Sequence, residues 1–166
     1  MKDKYNELII GSGGLSGLSY LGSLEILDEY YPIKNFKYLT GCSAGACICA
    51  LINVGYKIHE MKDIVYNLNF SDFFEFKLSN MINSGGFVDT TNLKNLFKSI
   101  FLTKNISGNV TFIELYNLTN IYLTVNSVNQ TMNNTEYFNH VNTPNMIVID
   151  AVLMSMNIPL VCVPIK

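Results

Sequence analysis

One segment of the chain combines a serine with closely spaced glycines. Gly41-Cys42-Ser43-Ala44-Gly45 follows a short apolar stretch, 36–40, and precedes a small and apolar stretch, 44–54. A G-x-S-x-G pattern between a strand and a helix is typical of a nucleophile elbow, a sharp turn that exposes a serine hydroxyl beside a helix amino terminus. The alternative is a turn of small residues that serves close packing alone. We interpret Ser43 as the candidate nucleophile, with an elbow formed by Gly41, Cys42, Ala44 and Gly45.

A second glycine-rich segment, Gly11-Ser12-Gly13-Gly14-Leu15-Ser16-Gly17, follows the apolar stretch 7–10 and could supply backbone hydrogen-bond donors. As a phosphate cradle it is one glycine short of the dinucleotide-binding pattern, and no P-loop lysine follows. As an oxyanion hole, its N–H groups would stabilise the alkoxide that forms when a serine attacks an ester. A serine elbow on the next strand favours this second interpretation. The expected donors are Gly13, Gly14 and Leu15.

The spacing of apolar residues predicts the elements that position these two loops. Strands at 7–10 and 36–40 alternate with helices at 17–30 and 44–54, an order typical of a parallel sheet covered by helices. Right-handed crossovers place both glycine loops at one sheet edge, where they can line one crevice. The later segments predict helical stripes within 58–68, 93–101 and 148–156, a helix that begins at the capping box of Thr111, and strands at 121–128, 136–138 and 160–163.

Composition and charge narrow the function classes. The 166 residues are 49% hydrophobic and 14% charged, which indicates one folded domain over residues 1–166 rather than a disordered chain. The net charge is −2 and none of the 11 basic residues is arginine, so a nucleic-acid partner is not expected. No apolar stretch reaches the roughly 18 to 20 residues of a membrane span, and the run 8–10 is too short for a signal-peptide core.

The cysteines fit no common zinc or redox spacing. We expect Cys42, Cys47, Cys49 and Cys162 to be free thiols, which suits a reducing, cytoplasmic location. No metal or cofactor is expected.

Both glycine segments, in this order and at this spacing, resemble those of the patatin-like phospholipases, which have a GGGxRG-type loop after the first strand and a GxSxG elbow after the second. The resemblance extends over nearly the whole chain. Its further motifs are Gly45-Ala46 with the helix to Gly55-Tyr56, Gly86-Phe87-Val88-Asp89-Thr90, Thr111-Phe112 with Leu115, Asp150-Ala151 to Ser155, and Ile158-Pro159 with Pro164.

This resemblance implies a three-layer α/β/α fold with a mainly parallel central sheet. It also implies a lipid acyl hydrolase of the phospholipase A type, in which a serine and an aspartate form a dyad without histidine. Phospholipids or other lipid acyl esters would be the substrates, and peripheral contact with a membrane surface would accompany them. Ser43 matches the nucleophile of the family, and Gly13, Gly14 and Leu15 match its oxyanion loop.

Two features depart from the family pattern. Ser16 stands where the glycine loop of the family has arginine. The catalytic aspartate of the family lies in a DG[GA] motif just after the proline-containing stretch, whereas this chain ends at Lys166 and contains no Asp-Gly pair. We therefore expect a domain truncated at its carboxyl end, with the dyad aspartate outside the chain.

Several alternatives remain open at this stage. The protein could be a catalytically inactive relic that binds lipid or a partner, or a nucleotide-binding domain. We expect Asp89 and Asp150 to cap helices, and His59 and His140 to lie on the surface, rather than to act as the base. The aromatic run 70–76 could line an acyl-chain pocket, and the stripe 93–101 could dock on a bilayer, although core packing is favoured for both.

Overall fold

The computed structural model describes residues 5–73 and 75–165. Four strands form one sheet in the order of the chain: β1 (Glu7–Ile10), β2 (Tyr38–Cys42), β3 (Tyr122–Asn129) and β4 (Asn134–Phe138). The first three strands are parallel, and β4 pairs with β3 in the antiparallel direction. The predicted α/β class with a mainly parallel sheet is confirmed.

One helix of the described residues lies between β1 and β2, five lie between β2 and β3, and one follows β4. They are α1 (Tyr20–Tyr30), α2 (Ala44–Asn53), α3 (Ile58–Asn67), α4 (Leu78–Ser84), α5 (Thr91–Thr103), α6 (Phe112–Thr119) and α7 (Val148–Met156). Short 3-10 segments occupy Gly14–Ser19, Ile33–Asn35 and Phe70–Phe73. None of the helices in this described part has the length and apolar character that crossing a bilayer requires.

The core lies between the sheet and α2, with α7 beside α2. Leu39, Leu123 and Val125 point from the sheet toward these helices and are almost completely buried. Helix α2 is buried along nearly its whole length because its residues are small or apolar. On the other sheet face, α6 meets the start of β3, where the ring of Tyr116 contacts that of Tyr122. The central position of α2 fixes the place of Ser43, which immediately precedes it.

Most predicted elements are present, with shifted ends. Strand β2 begins at Tyr38 instead of residue 36, because the chain leaves a 3-10 turn only at Asn35 and first pairs with β1 at Tyr38, and it continues through Gly41 and Cys42. The helix expected at 17–30 begins as a 3-10 segment, so its α-helical part starts at Tyr20. The capping box is confirmed, since Thr111 Oγ1 accepts the N–H of Glu114 and the Glu114 carboxylate accepts the N–H of Thr111.

The predicted strand at 160–163 is wrong. Leu160 adopts a φ of 66°, which breaks the extended backbone directly after Pro159. The segment instead forms a turn that pairs with Val88, whose N–H donates to Val161 O at 2.8 Å. Val163 N in turn donates to Val88 O at 2.9 Å. The turn therefore joins the end of α7 to the segment before α5.

The apolar stripe of α5 faces the core, as favoured from the sequence. Phe97, Ile100 and Phe101 are buried. Leu93 and Leu96 on the same helix are half-buried and line a cavity. This stripe is therefore unable to insert into a bilayer.

Candidate active site

Ser43 lies on a strained turn between β2 and α2. Its φ of 53° and ψ of −117° place a residue with a Cβ in a backbone region that such residues rarely adopt. A Cβ at Gly41 would lie 2.4 Å from Gly45 O, and a Cβ at Gly45 would lie 2.1 Å from Ile10 O. Only glycine fits at either position, because Gly41 packs against the start of α2 and Gly45 packs against the end of β1.

The glycine loop lies beside this turn. Parallel pairing sets Ile10 opposite Gly41, so the residues after β1 and β2 emerge at the same sheet edge. Gly17 packs directly on Ala44, because a Cβ at Gly17 would lie 2.5 Å from the Cβ of Ala44. The prediction that both loops occupy the carboxyl ends of adjacent parallel strands is therefore confirmed.

The 3-10 helix that follows Gly13 begins beside this site. Gly14 has a φ of 52° and opens a 3-10 helix, whose first N–H groups have no partner within the helix. Tyr20 Oη donates to Ser12 O at 2.9 Å, which holds the loop from α1. Gly14 and Leu15 face the same cavity as Ser43, whereas Gly13 packs against Gly17 behind them.

The cavity has a volume of about 630 Å³ and an almost entirely apolar wall. This volume lies in the range of small-molecule binding sites. Ser43 and Gly14 are among the lining residues, and most of the remaining wall comes from α1, α2, α3, α5 and α7, from the segment 68–73 with Phe76, and from the turn 158–162. The arrangement can hold a long apolar group with its polar end at Ser43.

The aromatic run forms part of this wall, so the favoured interpretation of ordinary core packing was wrong. Phe70, Phe73 and Phe76 line the cavity, and none of them is buried. Phe74 falls outside the described residues. Their spacing by three residues also suits one face of a helix packed in a core, so the sequence carried no signal that separates the two arrangements.

The described residues bring no carboxylate and no imidazole to the cavity wall. Asp89 instead accepts hydrogen bonds from Thr91, whose hydroxyl and backbone N–H together hold the pKa of this carboxyl below its usual range. Asp150 forms an ion pair with Lys94 at 2.6 Å. Asp89 therefore serves the start of α5 as expected, whereas the expected capping role of Asp150 is wrong, because it lies within α7 and no side chain of the described residues caps that helix.

The two histidines also lie away from the cavity wall. His59 is exposed near the start of α3. His140 is half-buried rather than on the surface as expected: its ring stacks on Tyr116 with centroids 3.8 Å apart. Burial lowers the pKa of His140, and its Nδ1 has no hydrogen-bond partner within the structure described.

All four thiols are free. Cys47 lies one helical turn after Ser43 and lines the cavity. Burial raises the pKa of Cys47 to about 12, and that of Cys49 also to about 12. Such thiols remain protonated and apolar at neutral pH, which fits their place in an apolar wall.

One polar contact of the elbow is not predictable from the sequence. The backbone N–H of Ser43 donates to Ser155 Oγ at 2.8 Å, across 112 positions of the chain. Ser155 lies near the end of α7 and was noted only as part of a motif. The motif could have suggested a structural role for this serine, but no spacing rule identifies its partner.

The sheet is mainly parallel, and a strained serine turn lies beside a glycine loop at its edge. These features define an α/β protein with a nucleophile-elbow turn. A model of the patatin-like phospholipase family matches residues 8–166. The chain therefore belongs to the patatin-like phospholipase family.

Two viral proteins are similar to the chain along its whole length. Probable lipid hydrolase 463L of Invertebrate iridescent virus 6 is 28% identical over 172 residues, which cover 100% of this chain and 58% of that protein. Uncharacterized protein R571 of Acanthamoeba polyphaga mimivirus is 26% identical over 168 residues, which cover 99% of this chain and 55% of that protein. The chain thus spans little more than half the length of these relatives.

Two solved structures share the fold. VipD from Legionella pneumophila matches with a TM-score of 0.71 at 18% identity, over 98% of this chain and 44% of that chain. ExoU from the type III secretion system of Pseudomonas aeruginosa, solved in complex with SpcU, matches with a TM-score of 0.68 at 18% identity. That match covers 93% of this chain and 38% of ExoU. Both likenesses support the α/β architecture described above.

Proposed function

We propose that the protein is a lipid acyl hydrolase of the phospholipase A type, with Ser43 as its nucleophile. The observation that carries this proposal is the cavity, because Ser43, the glycine loop and a long apolar wall all border one space. A lipid acyl ester has the matching parts, an apolar chain for the wall and a carbonyl group for the serine. Membership of the patatin-like phospholipase family supports the same chemistry.

The reaction would proceed through an acyl-enzyme. Ser43 Oγ attacks the ester carbonyl carbon, its proton passes to a general base, and the carbonyl oxygen becomes an alkoxide. The N–H groups of Gly14 and Leu15 donate to this alkoxide, with Gly13 supporting the loop. Collapse of the intermediate breaks the C–O bond, and the base returns the proton to the leaving alcohol. Water then attacks the acyl-Ser43 ester, releases the fatty acid and restores the hydroxyl.

The general base would be an aspartate outside these 166 residues, as in the Ser-Asp dyad that the family resemblance implies. Among the described residues, the cavity wall carries no group able to take the proton. The relatives are nearly twice as long as the chain, which leaves room for such a residue.

The same cavity wall favours a second candidate function. The 166-residue chain by itself could bind a lipid without hydrolysing it, because Ser43 stays protonated and weakly nucleophilic without a base. The nucleotide-binding alternative receives no support, since the described wall is almost entirely apolar and carries no cationic side chain to pair with the charges of a nucleotide phosphate.

Lipid would reach the cavity at a bilayer surface. Leu15, Phe76 and Ile158 line the cavity and are also 62%, 66% and 57% exposed, so they form its mouth. We call these three residues the apolar rim. An acyl chain that leaves a bilayer through this rim would stay in apolar surroundings throughout, which avoids the cost of exposing it to water.

The proposal is tested by comparing ester hydrolysis by the full product of the gene with hydrolysis by the 166-residue chain. We expect the full product of the gene to hydrolyse a phosphatidylcholine and to react with a fluorophosphonate at Ser43. The 166-residue chain should bind the lipid but hydrolyse it poorly or not at all. Ser43→Ala should abolish both hydrolysis and labelling in the longer protein.

Three results would each contradict a part of the proposal. Hydrolysis that survives Ser43→Ala would exclude Ser43 as the nucleophile. Lipid binding without hydrolysis or labelling in the full gene product would establish the second candidate function. Hydrolysis by the 166-residue chain that depends on Ser43 would show that the base lies within these residues.

A further inference from the structure

The strained backbone of Ser43 is held from a distant element. The N–H of Ser43 donates to Ser155 Oγ at 2.8 Å. This N–H belongs to a half-buried residue whose φ of 53° and ψ of −117° lie outside the usual regions. Backbone conformations of this kind persist only where several surrounding contacts hold them in place. The glycines at 41 and 45 make room for the turn, and the bond to Ser155 is a directional restraint on it.

Ser155 itself has a fixed position. It lies on helix α7, which is anchored against α2 and β3 by five buried side chains. These are Val148, Ile149, Ala151, Val152 and Leu153. Ser127 Oγ of β3 donates to Met154 O at 2.9 Å, which ties the end of the helix to the sheet. Asn157 Nδ2 donates to Val163 O at 2.8 Å just beyond the helix. The Ser155 hydroxyl therefore presents its acceptor oxygen from a rigid base.

Ser155 acts on Ser43 rather than on a ligand. Its neighbours Leu153 and Met156 line the cavity, whereas Ser155 does not. Its oxygen meets the backbone of the candidate nucleophile, one residue before α2 begins. Removing the hydroxyl would leave the N–H of Ser43 without this partner and would release one restraint on the direction of the Ser43 side chain.

We infer that Ser155 is a positioning residue of the nucleophile elbow, which it stabilises by accepting the backbone N–H of Ser43. The consequence for reactivity rests on the proposed function of Ser43. The hydrogen bond and its effect on the turn do not depend on catalysis. These two parts can therefore be tested separately on the same variants.

Hydrogen exchange and serine labelling of the full gene product test the two parts. Ser155→Ala should speed exchange of the Ser43 amide proton by about tenfold or more, since a buried hydrogen bond is lost. Nuclear magnetic resonance measures this exchange. The same change should also slow fluorophosphonate labelling of Ser43 by about 10- to 100-fold and lower kcat with KM unchanged. Ser155→Thr keeps an acceptor oxygen and should restore both measurements.

Ser127→Ala is the matched control. It removes a hydroxyl that donates to Met154 O on the same helix, and no hydrogen bond joins this hydroxyl to Ser43 within the described residues. We expect it to lower the Tm and to change the exchange and labelling of Ser43 much less than Ser155→Ala does, because the bond from the Ser43 N–H to Ser155 Oγ is kept. An equal loss of labelling in both variants would reduce the role of Ser155 to general helix stability and overturn the inference.

The remaining outcomes are also decisive. Unchanged exchange of the Ser43 amide in Ser155→Ala would overturn the hydrogen-bond role. Faster exchange with unchanged labelling would overturn the link to reactivity. If the unmodified protein fails to label at all, the proposed function fails, and the exchange measurement still decides whether Ser155 holds the turn.

Discussion

Leu15 offers the sharpest test of the oxyanion loop at the scale of single residues. Gly14 is unsuitable for removing an N–H by proline, because its φ of 52° is far from the roughly −65° that proline requires. Leu15 is the second residue of a 3-10 helix, where φ is near the proline value. A proline at this position can remove a single donor without rebuilding the turn.

Leu15→Pro should reduce turnover of a soluble short-chain ester by about 100-fold relative to Leu15→Ala, which removes the same side chain but keeps the N–H. The soluble ester avoids any contribution from the apolar rim. Circular dichroism should show that both variants remain folded. Equal turnover in the two folded variants would exclude the N–H of Leu15 as an oxyanion donor.

At the scale of elements, the start of α5 explains the role of Asp89. The carboxylate accepts the backbone N–H of Thr91 at 2.8 Å, which satisfies one donor of the first helical turn. The two hydrogen bonds from Thr91 lower the pKa of Asp89 in the folded state. The stability that they contribute is therefore present above the unfolded pKa of about 4 and is lost as the pH falls through the lower, folded value.

Asp89→Ala should lower the free energy of unfolding by about 1 kcal/mol at pH 7. The difference from the unmodified protein should shrink below about pH 4, where the unfolded carboxyl takes up a proton. Urea unfolding at a series of pH values measures this. Ester turnover should be unaffected, and a loss of turnover without a loss of stability would return Asp89 to the list of candidate bases.

The inner side of α5 should set the acyl-chain length. Leu96 lines the cavity and is half-buried, whereas Leu102 on the same helix is 61% exposed and does not line it. Leu96→Trp should shorten the space for the chain and lower the preference for long over short acyl esters by about tenfold or more. Leu102→Trp is the matched control, and the same shift there would refute this assignment.

At the scale of the whole molecule, the cavity mouth and the membrane surface should coincide. The apolar rim carries no charge, so its contact with a bilayer should depend little on salt. Phe76→Ser combined with Ile158→Ser should weaken binding to phosphatidylcholine vesicles by about tenfold or more, because two exposed apolar side chains no longer insert.

The control for this experiment changes apolar residues of similar exposure elsewhere. Leu102 and Leu118 are 61% and 68% exposed on α5 and α6 and do not line the cavity. Serine at both positions should leave vesicle binding unchanged in a sedimentation assay. Equal losses in the two double variants would show that vesicle binding reflects general surface hydrophobicity and that the rim has no special part in it.

Local sequence determined the elements whose causes are local. The glycine spacing around Ser43 predicted the turn, because glycine is required wherever a Cβ would strike the backbone of a neighbouring element. Helix α7 was predicted with its observed ends. Its apolar residues continue up to Met156, and Pro159 disfavours a helical conformation for the residue before it. The order of strands and helices predicted that both glycine loops share one sheet edge, through the right-handed crossover.

Only the tertiary structure decided how distant segments meet. The bond from Ser43 to Ser155, the pairing of Val88 with the turn at 160–163, and the place of the aromatics on the cavity wall all join residues far apart in the chain. Helical periodicity tells which side chains share a face, but an apolar side chain gains equally from a packed core and from the wall of a cavity. The packing of the helices around Ser43 leaves this space open, and that packing depends on the whole chain at once.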